Sequence, residues 1–297
     1  MHLGIDIGGT KTDVVVTEAS GAVLHRYRTA TGYGPEAVLA TTLAAVDRLC
    51  SEAAIDPRDA QSIGVGIPGA ISDGEVRHAV NLGIERLGLA SALHDAWGVT
   101  PAVDNDVNCA AVGAWTLAGD GGLSLAYLNL GTGLAAGIIV NGKVWRGARG
   151  AAGEIGHISV NPYGPEDGDG LRGNLETYAS GSGILRQWGK PGTAVSDILA
   201  AADRDPVAAE ILDRLYQGVA AAVRMLVLTV DVEEVVIGGG LAALGDTLLA
   251  GTCDVLNEWA SHSPFLRSVQ LDQRVRILDT DQPVAAIGAA MRGAGHG

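Results

Sequence analysis

The sequence predicts an α/β protein made of two similarly folded halves. Three observations carry that expectation. The chain opens on short apolar runs separated by tight glycine turns; the same pattern returns from residue 125; and long stretches with helical apolar spacing follow the repeats. Of the 297 residues, 47% are hydrophobic and 18% charged, enough apolar material for one large core or two moderate ones. Aromatics are only 4%, so Ala, Val, Leu and Gly must fill most of the interior.

The elements follow in order. Residues 3–7 are a strand, Gly8-Gly9-Thr10 a turn, 12–17 a strand, Ser20-Gly21 a turn and 23–27 a strand, which together read as an antiparallel meander. Pro35 opens a helix over 36–54 with apolar Val38, Leu39, Leu43, Val46 and Leu49 on one face. Residues 63–67 are the next strand, closed by Pro68-Gly69. In the second copy, 125–130 is a strand, Gly131-Thr132-Gly133 a turn, 135–140 a strand, Asn141-Gly142 a hairpin turn and 143–145 a strand. Helices are expected over 175–189, 206–230 and 241–261, with a strand at 234–237 between the last two.

The net charge of −14 is distributed along the chain. That balance disfavours binding to nucleic acid or to anionic membranes, both of which want a basic surface. An acidic protein that takes a polyanion must use local devices: backbone N–H groups, helix N-termini and Mg²⁺. Cys50, Cys109 and Cys253 lie far apart in apolar surroundings, the usage of a reducing compartment without a disulfide framework. No signal peptide is visible, and the most apolar stretch, 219–232, is short for a membrane span and carries Arg224. A cytoplasmic location is expected.

Three glycine loops carry the chemistry. In Asp6-Ile7-Gly8-Gly9-Thr10-Lys11 the glycines let backbone N–H groups approach phosphate oxygens, Thr10 and Lys11 can reach the β and γ phosphates, and Asp6 can hold Mg²⁺ through water. The spacing is neither that of the P-loop nor that of the dinucleotide fingerprint. Asn129-Leu130-Gly131-Thr132-Gly133 is the mirror turn, without acid or lysine, suited to a second phosphate cradle made of hydrogen bonds alone. Val236-Ile237-Gly238-Gly239-Gly240-Leu241 runs from a strand through glycines into a helix, a junction that admits a flat base or ribose. Each loop alone could be no more than a tight turn; three in one chain reinforce one another.

Together these segments resemble the actin/hexokinase/Hsp70-type ATPases, and more closely the ROK family, which includes bacterial glucokinases. The resemblance extends from Asp6 to the small-residue helix at 285–290. It implies two RNase H-like (actin-like ATPase) domains facing a cleft, ATP with Mg²⁺, and a homodimer or homotetramer. The first domain is expected over 1–117 plus 283–297, with the phosphate loop and the catalytic acid; the second over 118–282, with the mirror turn, the adenosine site and the sugar loop.

The resemblance also assigns the acceptor half of the site. In Val103-Asp104-Asn105-Asp106-Val107-Asn108 it makes Asp106 the catalytic base and Asn105 a ligand of a sugar hydroxyl, beside the plainer reading that one of them caps a helix. A carboxylate in hydrogen-bond reach can orient an attacking hydroxyl and take its proton late in phosphoryl transfer. Gly153-Glu154-Ile155-Gly156-His157 matches the Glu-x-Gly-His signature, so Glu154 and His157 would contact the sugar, with Glu176 as a further carboxylate and Asn81 as an additional ring contact. The implied activity is transfer of the ATP γ-phosphoryl to a hexose such as glucose, the family favouring its exocyclic 6-OH.

One segment departs from the family. Most ROK kinases carry Cys-x-Cys-Gly-x-x-Gly-Cys-x-Glu after the histidine, and that His with the three Cys binds structural zinc. Here the segment is Asp167-Gly168-Asp169-Gly170-Leu171-Arg172-Gly173-Asn174-Leu175-Glu176, with every thiolate gone. Zinc prefers sulfur and imidazole in closed sites, so structural Zn²⁺ is not expected. Asp167 or Asp169 is expected to orient His157 in its place. The rebuilt loop also admits a different acceptor: a hexose-like cyclitol, an N-acylhexosamine, or a sugar bound without catalysis. A ROK repressor would carry a helix-turn-helix ahead of the phosphate loop, for which the segment before Asp6 leaves no room, and a polyphosphate donor would favour a basic channel.

Overall fold

The computed structural model describes residues 1–119, 122, 124–279 and 281–295. Its strands are β1 (His2–Ile7), β2 (Lys11–Thr17), β3 (Val23–Ala30), β4 (Ser62–Ile67), β5 (Ala70–Ser72), β6 (Glu75–Ala79), β7 (Ile84–Leu87), β8 (Ala102–Asn105), β9 (Ser124–Leu130), β10 (Leu134–Val140), β11 (Lys143–Val144), β12 (Glu234–Gly238) and β13 (Val275–Ile277). The helices are α1 (Pro35–Ala53), α2 (Leu89–Trp97), α3 (Asp106–Leu117), α4 (Leu175–Ala179), α5 (Gly181–Trp188), α6 (Val195–Ala200), α7 (Pro206–Val230), α8 (Asp246–His262), α9 (Pro264–Val269) and α10 (Val284–Gly293).

The chain divides into two compact units. The first holds Met1–Gly122, Gly137–Gly150 and Asp281–Gly297; the second holds Leu123–Ala136 and Ala151–Thr280. The sequence reading put all of 118–282 into one domain. Residues 137–150 instead pack with the first unit: a Cβ on Gly137 would meet the Val107 carbonyl and Ala111, and one on Gly142 would touch the Trp115 ring.

In the first unit the strand order is β3-β2-β1-β4-β8. β1 pairs antiparallel with β2 and parallel with β4, and β4 pairs parallel with β8. The meander expected over residues 3–27 is present. Leu3, Ile5, Ile7, Val14, Val16, Val65 and Ile67 are buried with Val38, Val46 and Leu49 of α1 in one apolar cluster, each large side chain contributing about 1.5–3 kcal/mol. The last helix, α10, packs on β1, β4 and α3. Its approach leaves no room for a methyl group: a Cβ on Gly64 would lie 1.8 Å from the Ala289 carbonyl oxygen.

The second five-stranded sheet repeats the arrangement. Three residues join β9 to β10, β9 pairs parallel with β12, and β12 pairs parallel with β13, giving β10-β9-β12-β13. The end of β10 forms the hairpin with β11 over Asn141 and Gly142, both at positive φ. In both units a glycine turn therefore joins the central strand to its hairpin neighbour.

Two helices differ from expectation. The single helix expected over 175–189 is two: Ser180 is extended (φ −132°, ψ 162°), ends α4, and caps α5 by accepting the Gly183 N–H. The helix expected over 241–261 begins as a 3₁₀ turn, breaks at Gly245 (φ 55°, ψ −132°) and continues as α8. The small sheet β5-β6-β7 and helix α2 were not anticipated; their three- to nine-residue lengths carry too little periodicity to read.

Candidate active site

In the first unit, β1 delivers Asp6 to the mouth of the turn at residues 8–11. The turn is closed by the Gly8 N–H donating to the Lys11 carbonyl at 2.9 Å, and the Thr31 N–H donates to the Thr10 carbonyl at 3.1 Å. Gly9, Thr10 and Lys11 are exposed and Gly8 partly so. Asn81 stands beside the turn, its backbone and Cβ within 4 Å of where a side chain on Gly9 would begin.

β8 leads directly into α3, so Asn105 and Asp106 sit at a helix N-terminus. Asn105 caps it, its Oδ1 accepting the Val107 and Asn108 N–H groups at 2.9 and 3.3 Å, and its amide donates to the Gly69 carbonyl at 3.4 Å. The acceptor atom of Asn105 is thus committed to the cap, and its amide, beyond the long bond to Gly69, carries the remaining donor capacity. Asp106 is the first helical residue, with Oδ1 accepting the Val107 N–H at 3.0 Å. The helix dipole favours negative charge there.

Asp6 and Asp106 lie near enough to act on each other. Burial first, then Asp106 and Asp13, push the Asp6 carboxyl up to about 8, against a smaller opposing effect of Arg28. Burial and the neighbouring acids both disfavour the charged form, a condition that a proton or a cation relieves. Among the described residues no group of three or more His, Cys, Asp or Glu is arranged to hold a metal. A Mg²⁺ that keeps its waters needs no such cage, only one or two carboxylates together with substrate phosphates, and the Asp6 and Asp106 pair fits that mode.

Asp104 is a residue the sequence reading missed. It is buried and accepts from Arg146, from Arg292 at 2.8 Å, and from the Asn105 N–H at 2.8 Å. This network pins the strand end from which Asn105 and Asp106 project. Arg146 and Arg292 are remote in sequence, so no local pattern announces it.

In the second unit, the turn at residues 131–133 is braced from behind. Its Gly131 N–H donates to the Gly133 carbonyl at 3.0 Å, while Gly131 and Thr132 carbonyls accept the Gly181 and Ser182 N–H groups at 2.8 and 3.0 Å. Glu176 supports the same turn, Oε2 accepting the Leu134 N–H at 3.0 Å; a Cβ on Gly133 would fall 2.6 Å from that oxygen. Gly156 admits the same crowding, since a Cβ there would lie 2.2 Å from the Leu134 carbonyl. Glu154 and His157 flank Gly156 and are both exposed.

Gly131, Thr132 and Gly240 line one cavity of about 500 Å³ with Gly181, Leu185, Leu199, Leu241 and Leu244. Of the three glycines at 238–240 only Gly240 lines it; Gly238 is buried at the end of β12. A Cβ on Gly238 would strike Tyr127 at 2.1 Å, Gly239 has φ +85°, and Gly240 opens onto free space. The apolar wall from α5, α6 and the 3₁₀ turn at Gly240–Leu244 could not be placed from sequence, because its residues are scattered over four segments.

The loop that departs from the zinc pattern is ordered differently from the expectation. Asp167 does not turn toward His157. Its Oδ1 accepts the Asp169 and Leu171 N–H groups, each at 2.9 Å, and its Oδ2 the Asn174 amide at 2.6 Å. Burial opposes ionisation of Asp167, but these bonds from Leu171, Asp169 and Asn174 outweigh it and hold the carboxyl below its ordinary range. The Val160 N–H to Gly173 carbonyl and Gly173 N–H to Pro165 carbonyl bonds complete the loop. Among the described residues no carboxylate bonds the His157 ring. The donors present do not fit zinc: two of the residues standing where thiolates would be are occupied in holding the loop to itself.

Comparison with known proteins follows the same lines. The sequence profile of the ROK family matches residues 2–291. A glucokinase of Halalkalibacterium halodurans is 34% identical over 272 residues, covering 84% of this chain and 82% of that protein. The crystal structure of a ROK hexokinase from Thermus thermophilus superposes with a TM-score of 0.80 at 28% identity, covering 99% of this chain and 97% of the other. A ROK family glucokinase from Streptomyces griseus, solved in complex with glucose and AMPPNP, gives 0.79 at 27% identity, with 99% of each chain covered. With the strand order repeated in both units and a family match over nearly its whole length, the chain belongs to the ROK family.

Proposed function

We propose that this protein is an ATP-dependent sugar kinase that phosphorylates an exocyclic hydroxyl of a hexose, glucose being the first candidate. The observation that carries the reading is Asp106, a carboxylate at a helix N-terminus beside a second acid and next to a glycine turn that exposes backbone N–H groups. Asp106 would accept the proton of the attacking hydroxyl as the new O–P bond forms and the bond to the ADP oxygen breaks. Residues 8–11 would hold phosphate oxygens through main-chain N–H groups, Thr10 and Lys11. Magnesium, held through water by Asp6, would neutralise charge on the phosphates. Turn 131–133 and Gly238, Gly239 and Gly240 would take the rest of the nucleotide, the apolar cavity receiving adenine. Glu154, His157 and Glu176, with Asn105 and Asn81, would bind the sugar hydroxyls.

The rebuilt loop at 167–176 favours a second reading of the acceptor. Its carboxylate-held turn replaces a metal-held one, so ring shape near His157 and Glu176 need not follow that of glucose, and a cyclitol or an N-acylhexosamine is the alternative. Coupled ADP release across glucose, mannose, fructose, the N-acetylhexosamines and C7 cyclitols tests both. Turnover with glucose and not with the others supports the first; turnover confined to another ring supports the second. ADP release with none of them would leave a non-catalytic sugar-binding protein and overturn the proposal.

A further inference from the structure

A second cavity in the second unit, of about 630 Å³, is lined by the sugar-loop segment, α7 and α8. Its charge is anomalous for a chain of net charge −14: among the described residues Arg172, Arg214 and Arg224 line it, and no Asp or Glu does. The volume lies in the range of small-molecule sites.

The three guanidinium groups are not equally engaged. Arg172 pairs with Glu166 at 2.9 Å, and Arg214 with Glu210 one turn earlier on α7 while also donating to the Gln187 amide oxygen at 3.0 Å, all three partners standing outside the lining. Such solvent-exposed pairs contribute little and exchange readily. Arg224 has no carboxylate partner among the described residues and lies over the Trp259 ring, 4.2 Å from its centroid. A cation held by an aromatic face keeps its hydrogen-bond donors for another group.

Tyr178 adds an independent observation. It is 8% exposed, and its hydroxyl is buried with no hydrogen-bond partner. It lies in the wall of the same cavity, beside Gly164, where a Cβ would fall 2.0 Å from the hydroxyl oxygen. A buried hydroxyl without a partner is costly, and this one is packed against Gly164 in the wall of the cavity.

We infer that this cavity is a second, non-catalytic site for a small phosphate monoester, its dianion received by Arg172, Arg214 and Arg224 and its carbon skeleton by Trp259 and Tyr163. Guanidinium groups match phosphate oxygens in paired geometry, and an aromatic face with a buried hydroxyl suits a polyol ring. The class of ester rests on the sugar-kinase reading, which makes a sugar phosphate at every turnover. The site would let product occupancy be sensed away from the residues proposed for catalysis.

The test is calorimetric titration of the full-length protein, without nucleotide, with glucose 6-phosphate and in parallel with inorganic phosphate. Wild type and the double variant Arg214→Ala/Arg224→Ala are compared, with Arg224→Gln as a milder variant should the double one not fold. The double variant is expected to weaken binding by about tenfold or more, as loss of charged hydrogen bonds does, while kcat/KM for the sugar stays within about twofold. Tighter binding of the ester than of phosphate assigns the skeleton to the aromatic wall; equal binding assigns the phosphate group alone. Unchanged affinity in every variant, binding abolished by saturating glucose, or a cavity closed by a second copy, read as variant-dependent mass in sedimentation without ligand binding, would overturn the inference. Because the titration needs no turnover, it stands or fails separately from the kinase assay.

Discussion

The turns at residues 8–11 and 131–133 hold the same position in the same strand order, one in each unit, but their surroundings differ in chemistry. The first is backed by acids: Asp6 at its mouth, Asp106 nearby, and a carboxyl driven up to about 8 by burial and by those neighbours. The second has a carboxylate, Glu176, tied to the Leu134 N–H, with the α5 N-terminus pressed behind it and an apolar cavity beside it. Duplication supplies two equivalent backbone cradles. Their side chains differ, so under the proposed function the first would be a charged reaction site and the second a neutral holder of nucleotide. Scaffold and chemistry are thus separable, and variants in each turn should fail in different ways.

The largest effect is expected at Asp106. Asp106→Ala should lower kcat by about 10²–10⁴-fold, with sugar KM changed little, as loss of a general base does; a variant keeping most of its kcat would remove Asp106 from the mechanism. The corresponding carboxylate of the second turn should behave as a brace. Glu176→Ala leaves the Leu134 N–H without its partner and should cost about 1–3 kcal/mol in denaturant unfolding, whereas Glu176→Gln keeps an acceptor and should recover most of it. If Gln restores stability but not sugar KM, Glu176 has both roles; if it restores both, the sugar contact is excluded. Gly133→Ala, which drives a methyl group into Glu176, should raise the KM for ATP more than that for sugar.

Asp6 gives the comparison a pH dependence. Its folded carboxyl binds a proton more tightly than the unfolded one, whose ordinary value is 3.8. The stability it contributes is therefore complete below about pH 4 and is lost as pH rises through about 8. Thermal melts of the protein without magnesium should show Tm falling across that window, and Asp6→Asn should flatten the fall; an unchanged slope in that variant would assign it elsewhere. The smallest effect is expected at the rebuilt loop. Asp167→Ala should speed proteolysis within 158–175 while a zinc chelator leaves both wild type and variant unchanged. A chelator-sensitive Tm would break the account of that loop.

What could be read in advance was short in range. The strands over 3–27 and the hairpin at Asn141-Gly142 followed from alternation and turn chemistry, which act over a few residues. The helix at 175–189 was misread because Ser180 lies inside an apolar pattern that continues past it, and only its extended backbone divides α4 from α5. Asp104 has no role in the sequence reading, because its partners, Arg146 and Arg292, are remote in the chain. The expected bond from Asp167 or Asp169 to His157 is absent for a local reason: N–H groups two and four residues onward and the Asn174 amide donate to the Asp167 carboxylate and occupy both of its oxygens.

By itself, the sequence determined the repeated strand-turn-strand units, the glycine loops with their acids, and the missing thiolates, because each is written in contiguous residues. The tertiary structure alone decided which carboxylates became coupled, which were drawn off as braces, and which arginines converged on one cavity. Those outcomes depend on desolvation and on charges brought together from distant segments, and both come into being only when the chain packs.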